Sequence, residues 1–124
     1  MRARLVGVFV LASGIAGCTE CGGGRDRAAE ARGRVEQLFA AGNARDCETT
    51  RALMPRVTNE HECEELFEDW EHHGMELLEI VDARVDGRDE HAVVVRCRVR
   101  MRGREREMLV RAEETEDGRW GLSL

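Results

Sequence analysis

Five cysteines carry the most reactive side chains of this 124-residue chain. A thiol can accept an acyl group or pair in a disulfide, and as a thiolate it can bind a metal ion. The five are Cys18, Cys21, Cys47, Cys63 and Cys97. The sequence around each cysteine therefore indicates which of these roles it has.

The first 18 residues have the organisation of an export signal. Arg2 and Arg4 make its start positive, and an apolar run of roughly 13 residues follows, shorter than the about 20 that span a membrane. The run ends in Ile15-Ala16-Gly17-Cys18, which resembles the bacterial lipobox: an aliphatic residue, two small residues and cysteine. The resemblance implies cleavage before Cys18 and a diacylglycerol on its thiol, which would anchor the chain to a bacterial envelope membrane. An ordinary secretory signal and a short buried segment are the alternatives.

The chain accordingly divides into three parts. Residues 1–17 form the predicted signal peptide, and residues 18–25 the lipidated cysteine and a glycine-rich tether, "CTECGGGR". Residues 26–124 are left for one folded domain. The whole chain has a net charge of −6, which argues against nucleic-acid binding because like charges repel the phosphate backbone.

Four cysteines remain after lipidation of Cys18, and they allow three pairings. The oxidising space outside the inner membrane favours disulfides. Cys97 lies in the middle of a predicted strand and Cys21 in the tether, so the pattern favours Cys47–Cys63. Cys18-x-x-Cys21 has the spacing of a zinc ligand pair, but lipidation would consume Cys18, and we predict no metal or other cofactor.

The apolar spacing predicts three helices and then four strands. The first helix covers about residues 26–41, with Gly42-Asn43 as its stop. Asp46 and Asn59 are the predicted N-caps of a short helix before Pro55 and of a third helix that ends at Gly74. From residue 75 the period changes to two, with a bulge near Val81-Asp82. The predicted fold class is α+β, with the helices packed on a curved, four-stranded antiparallel meander.

This order of elements, the hairpin "VDGRDEHAVVVRC" and the turn "TEDGRWGL" resemble the nuclear transport factor two-like α+β cone, and more narrowly its small lipoproteins. The resemblance implies a first helix packed in the concave face of the sheet and sometimes a pocket at the wide end. Many members are non-catalytic. The enzymes, ketosteroid isomerases and polyketide cyclases, place an Asp/His or Asp/Tyr set inside the cone, and this chain has no tyrosine.

One row of arginines is the most unusual feature of the predicted sheet. Alternation places Arg96, Arg98, Arg100 and Arg102 on one face, where they could contact anionic lipid, glycan or an acidic partner. The next strand carries Glu105, Glu107 and Glu113, so cross-strand ion pairs are the favoured interpretation.

Asp82 and His91 are the two residues that a pocket inside the cone would use. Asp82 lies at the predicted strand irregularity and His91 at the start of a strand. A surface or turn position is the more common role for both residue types, and no nucleophile triad or phosphate-binding loop accompanies them. We therefore predict no catalytic residues.

These observations favour an envelope lipoprotein whose domain is a non-catalytic binding module for a protein or a small ligand. One alternative is a ligand-binding or isomerase-like member of the same fold, which would need a buried ionisable group in a pocket. The other is a purely structural lipoprotein. The expected location is the membrane-anchored periplasmic or extracellular side of the envelope.

Overall fold

The computed structural model describes residues 25–124. Three helices come first: α1 (Arg27–Ala44), α2 (Cys47–Leu53) and α3 (Glu60–His72). Four strands follow: β1 (Glu76–Asp86), β2 (Asp89–Met101), β3 (Arg104–Glu114) and β4 (Trp120–Ser123). The strands form one antiparallel sheet in the order β1-β2-β3-β4, so the domain is the α+β arrangement that the sequence predicts.

An aspartate or asparagine side chain caps the N-terminus of each helix. Asp46 Oδ1 accepts a hydrogen bond from the Thr49 backbone N–H at 3.1 Å, and Asn59 Oδ1 accepts one from Glu62 at 2.9 Å. These caps satisfy backbone donors that have no partner within the helix. Both predicted N-caps are therefore confirmed. The Glu62 carboxylate bonds back to the Thr58 N–H, one residue before the cap.

The predicted end of α1 at Gly42-Asn43 is wrong, because α1 continues to Ala44 and ends at Arg45, whose φ is 53°. Gly42 is buried inside the helix against the indole ring of Trp70. Asn43 Oδ1 accepts a hydrogen bond from the Trp70 indole N–H at 3.0 Å. Packing against α3 thus keeps this last turn helical despite two residues that often end a helix.

Strand β1 contains two bulges that disturb its alternation. The register against β2 shifts between Leu77 and Glu79 and again between Ile80 and Asp82. The second shift confirms the predicted bulge. The first was not predicted, and it leaves Leu77 opposite Val99 on the core side, where a strict alternation back from Ile80 would place Leu78.

The core lies between the helices and one face of the sheet. Val93, Val95, Cys97 and Val99 of β2 are fully buried there, as the alternation predicts. The helices contribute buried apolar side chains, namely Ala31, Val35, Leu38, Phe39, Leu53 and Trp70. The Phe39 and Trp70 rings meet edge to face at 5.0 Å between centroids, which joins α1 to α3 over the sheet.

The disulfide Cys47–Cys63 is present, and it joins the start of α2 to α3. The two Cα atoms are 5.7 Å apart, within the range of an unstrained bridge. In the chain-entropy model a loop of this size stabilises the fold by about 3 kcal/mol. The bridge therefore adds a covalent link to the packing of α2 against α1, α3 and β4.

Candidate functional site

The arginine row lies on the solvent-facing side of the sheet, and its members on β2 are paired. Arg96 Nη2 is 3.0 Å from Asp82 Oδ2, and Arg100 Nη1 is 3.0 Å from Glu76 Oε2. Arg98 Nη2 is 3.4 Å from Glu79 Oε1. These acceptors all belong to β1, so the row is held from that side by cross-strand ion pairs.

Strand β3 supplies acids on the other side of the row. Glu107 approaches Arg96 at 3.8 Å and Glu105 approaches Arg98 at 3.9 Å, each along a diagonal of the register. Exposed pairs of this kind contribute about 0.2–1 kcal/mol each. More important for function, they offset the positive charge that an anionic surface would bind.

Arg102 departs from the predicted row. It lies with Gly103 in the two-residue turn between β2 and β3, and both residues have positive φ, 52° and 74°. That is the geometry of the turn type that best matches the twist of a hairpin. Its backbone N–H donates to the His73 carbonyl at 2.7 Å, so Arg102 ties the hairpin tip to the end of α3.

Asp82 and His91 lie apart from each other and from the core. Asp82 follows the second bulge of β1 on the solvent-facing side, in the ion pair with Arg96. The His91 side chain is 56% exposed, with its Nε2 3.7 Å from the Glu90 carboxylate. The structure does not bring these two side chains together in a common cavity.

Side chains fill the space between the helices and the sheet where a pocket would lie. Leu38, Phe39, Trp70 and the valines of β2 belong to one continuous core cluster. The free thiol of Cys97 is in this cluster, and burial raises its pKa to about 11, so the thiol stays protonated and unreactive at neutral pH.

Cys18 and Cys21 lie outside the described residues. Within residues 25–124 no cluster of three or more His, Cys, Asp or Glu side chains is placed to hold a metal ion. No helix in that same range combines the length and apolar character needed to cross a bilayer.

A surface groove near β4 was not anticipated from the sequence. Pro55, just after α2, lies over Gly121 of β4, so closely that a Cβ on Gly121 would come within 3.0 Å of the proline Cγ. Two hollows, of about 410 Å³ and about 260 Å³, share Pro55, Thr115 and Gly121 in their walls. We call the two hollows together the Pro55 groove. The first is lined by Arg51, Ala52, Pro55, Thr115, Arg119, Trp120 and Gly121.

The sequence signal for this groove is weak, because its walls come from two segments about 60 residues apart. The turn "TEDGRWGL" indicates that Trp120 is structurally important, but nothing in the sequence pairs it with Arg51 or Pro55. Only the packing of α2 against β4 brings them together.

Comparison with known proteins gives no relative for this chain: no family model, curated protein or solved structure matches it.

Proposed function

We propose that this chain is an envelope lipoprotein, anchored through Cys18, whose domain binds a partner without catalysing a reaction. The observation that carries the proposal for the domain is its filled interior. Apolar side chains pack between the helices and the sheet, and Asp82, the acidic residue expected in a pocket, pairs with Arg96 at the surface. The surface is then the part of the domain available for recognition.

The proposal for the anchor rests on Ile15-Ala16-Gly17-Cys18 and on the glycine tether. The start of the described chain supports it. Arg25 forms bonds of 2.9 Å with the Glu114 carboxylate, which is 7% exposed, and also pairs with Glu30. The tether would therefore leave the domain at a defined position beside the end of β3.

Replacing Cys18 with alanine tests the anchor. We expect the Cys18→Ala protein to keep residues 1–17 and to carry no lipid, because the thiol that receives the diacylglycerol is gone. The matched control is Cys21→Ala, which removes a thiol three residues away and should be processed and lipidated like the wild type. Mass spectrometry of both proteins gives the readout. Normal processing of Cys18→Ala at the same position would refute the proposal.

A further inference from the structure

The larger hollow of the Pro55 groove has two arginines and no acidic residue in its walls, although the chain has a net charge of −6. These arginines are Arg51 and Arg119, whereas the smaller hollow is lined by both Arg56 and Glu113. Within residues 25–124, neither Arg51 nor Arg56 lies within 4.0 Å of a carboxylate, whereas the arginines on the outer face of β2 are paired. Arg119 pairs with Asp117 at 2.8 Å, and its side chain is 80% exposed.

The Arg51 guanidinium makes one hydrogen bond to the part of the chain that the structure describes, residues 25–124. Its Nη2 donates to the Thr58 carbonyl at 2.8 Å, which fixes the side chain beside the groove. A guanidinium has five N–H donors in a planar fork that matches a carboxylate. Arg51 is thus held in place and still able to bind an acid.

The remaining walls of the larger hollow are mainly apolar. Ala52, Pro55 and Trp120 supply the apolar surface, and Thr115 is the polar residue beside them. Trp120 is 4% exposed, so a small part of its side chain is open to the hollow.

We infer that the Pro55 groove binds an extended acidic segment of a partner protein. Two hollows that share Pro55 in their walls match an extended chain that places one side chain in each. A carboxylate would lie between Arg51 and Arg119, and an apolar side chain would lie against Ala52 and Trp120. This inference rests on the proposed binding role and gives it a partner class. It does not depend on the lipid anchor.

Binding of a labelled peptide to the full-length protein in neutral detergent micelles tests the inference. The probe is the hexapeptide of alternating glutamate and valine, and the lysine–valine hexapeptide is the charge-reversed comparison. We expect the acidic peptide to bind measurably more tightly. The double variant Arg51→Gln/Arg119→Gln should weaken that binding about tenfold or more, because it removes two charge-assisted contacts.

The matched control removes the same charge elsewhere. Arg102 and Arg104 are exposed at the β2–β3 turn, at the opposite end of β3 from Thr115. Their change to glutamine should alter binding less than about twofold, since it affects only the long-range field. Circular dichroism on every variant distinguishes loss of peptide binding from loss of the fold. We expect every variant to fold, because the replaced side chains are exposed and lie outside the core.

Three results would overturn the inference. The first is equal binding of the acidic and basic peptides, or none of the acidic one. The second is displacement of the peptide as effectively by glutarate, or by a soluble short-chain phosphatidylglycerol, as by unlabelled peptide. The third is loss of binding on replacing Arg96, Arg98 and Arg100 but not Arg51 and Arg119. In that case the binding role would stand and the groove assignment would fail.

Discussion

At the scale of single residues, charge on this protein is organised by local pairing. The arginines on the solvent-facing side of β2 alternate with core valines, and β1 and β3 present acids at matching positions. The pairing with Glu105 and Glu107 of β3 was predicted, because alternation places the arginines on one face beside the next strand. The pairing with acids of β1 was not predicted. The surroundings of Asp82 could not be predicted, since they depend on two bulges that shift β1 against β2.

Asp86 gives a prediction for the dependence of stability on pH. Its carboxylate accepts hydrogen bonds from Arg111 Nη1 at 2.8 Å and from the Arg88 backbone N–H at 2.9 Å. These hydrogen bonds hold the pKa of Asp86 below its ordinary value of 3.8, and the bond from Arg111 has the larger effect. Because the pKa of Asp86 is lower in the folded protein than in the unfolded chain, its ionised carboxylate stabilises the fold. This stabilisation is complete at pH values above the unfolded-state pKa and is lost as the pH falls through the folded-state pKa.

We therefore expect the free energy of unfolding of Asp86→Asn to fall less than that of the wild type between about pH 5 and about pH 2.5. Asparagine keeps an oxygen that can accept from the Arg88 N–H, but it removes the titrating charge and the second oxygen, which accepts from Arg111. Urea titrations at the two pH values measure the difference. Glu68→Gln is the control, because Glu68 makes no ion pair within residues 25–124, and it should follow the wild type. An identical pH dependence for Asp86→Asn and wild type would contradict the assignment.

At the scale of elements, the helix starts could be read from the sequence, but one helix end could not. Asp46 and Asn59 cap through local hydrogen bonds, which their positions before apolar stripes already indicate. The end of α1 is decided by a tertiary contact, the packing of Gly42 and Asn43 against Trp70 of α3. Local propensity contains no information about that contact.

The two glycines inside α1 give a direct test of this packing. A Cβ on Gly42 would meet the Trp70 ring at 2.6 Å, whereas a Cβ on Gly33 meets nothing within 4 Å. We expect Gly42→Ala to destabilise the protein by about 1–3 kcal/mol through overpacking. Gly33→Ala should stabilise it by about 0.5–1 kcal/mol, because alanine loses less backbone entropy in a helix. Urea denaturation measures both. Stabilisation by Gly42→Ala would contradict the close contact with Trp70.

At the scale of the whole molecule, the change in apolar period near residue 75 is enough to predict the fold class. Helical spacing before it and alternation after it give three helices and a meander, and the disulfide Cys47–Cys63 follows from the positions of the cysteines. The Pro55 groove could not be predicted in this way. It forms where α2 meets β4, and the contact between Pro55 and Gly121 joins two segments that no local pattern relates.

The lipid anchor is the central part of the proposed function, because it would place the domain at a membrane surface. The most direct measurement is the intact mass and N-terminal fragment spectrum of the wild-type protein extracted from bacterial membranes. The account predicts a chain that begins at Cys18 and carries a diacylglycerol on that residue. A chain that begins elsewhere, or a Cys18 without lipid in the membrane fraction, would contradict it.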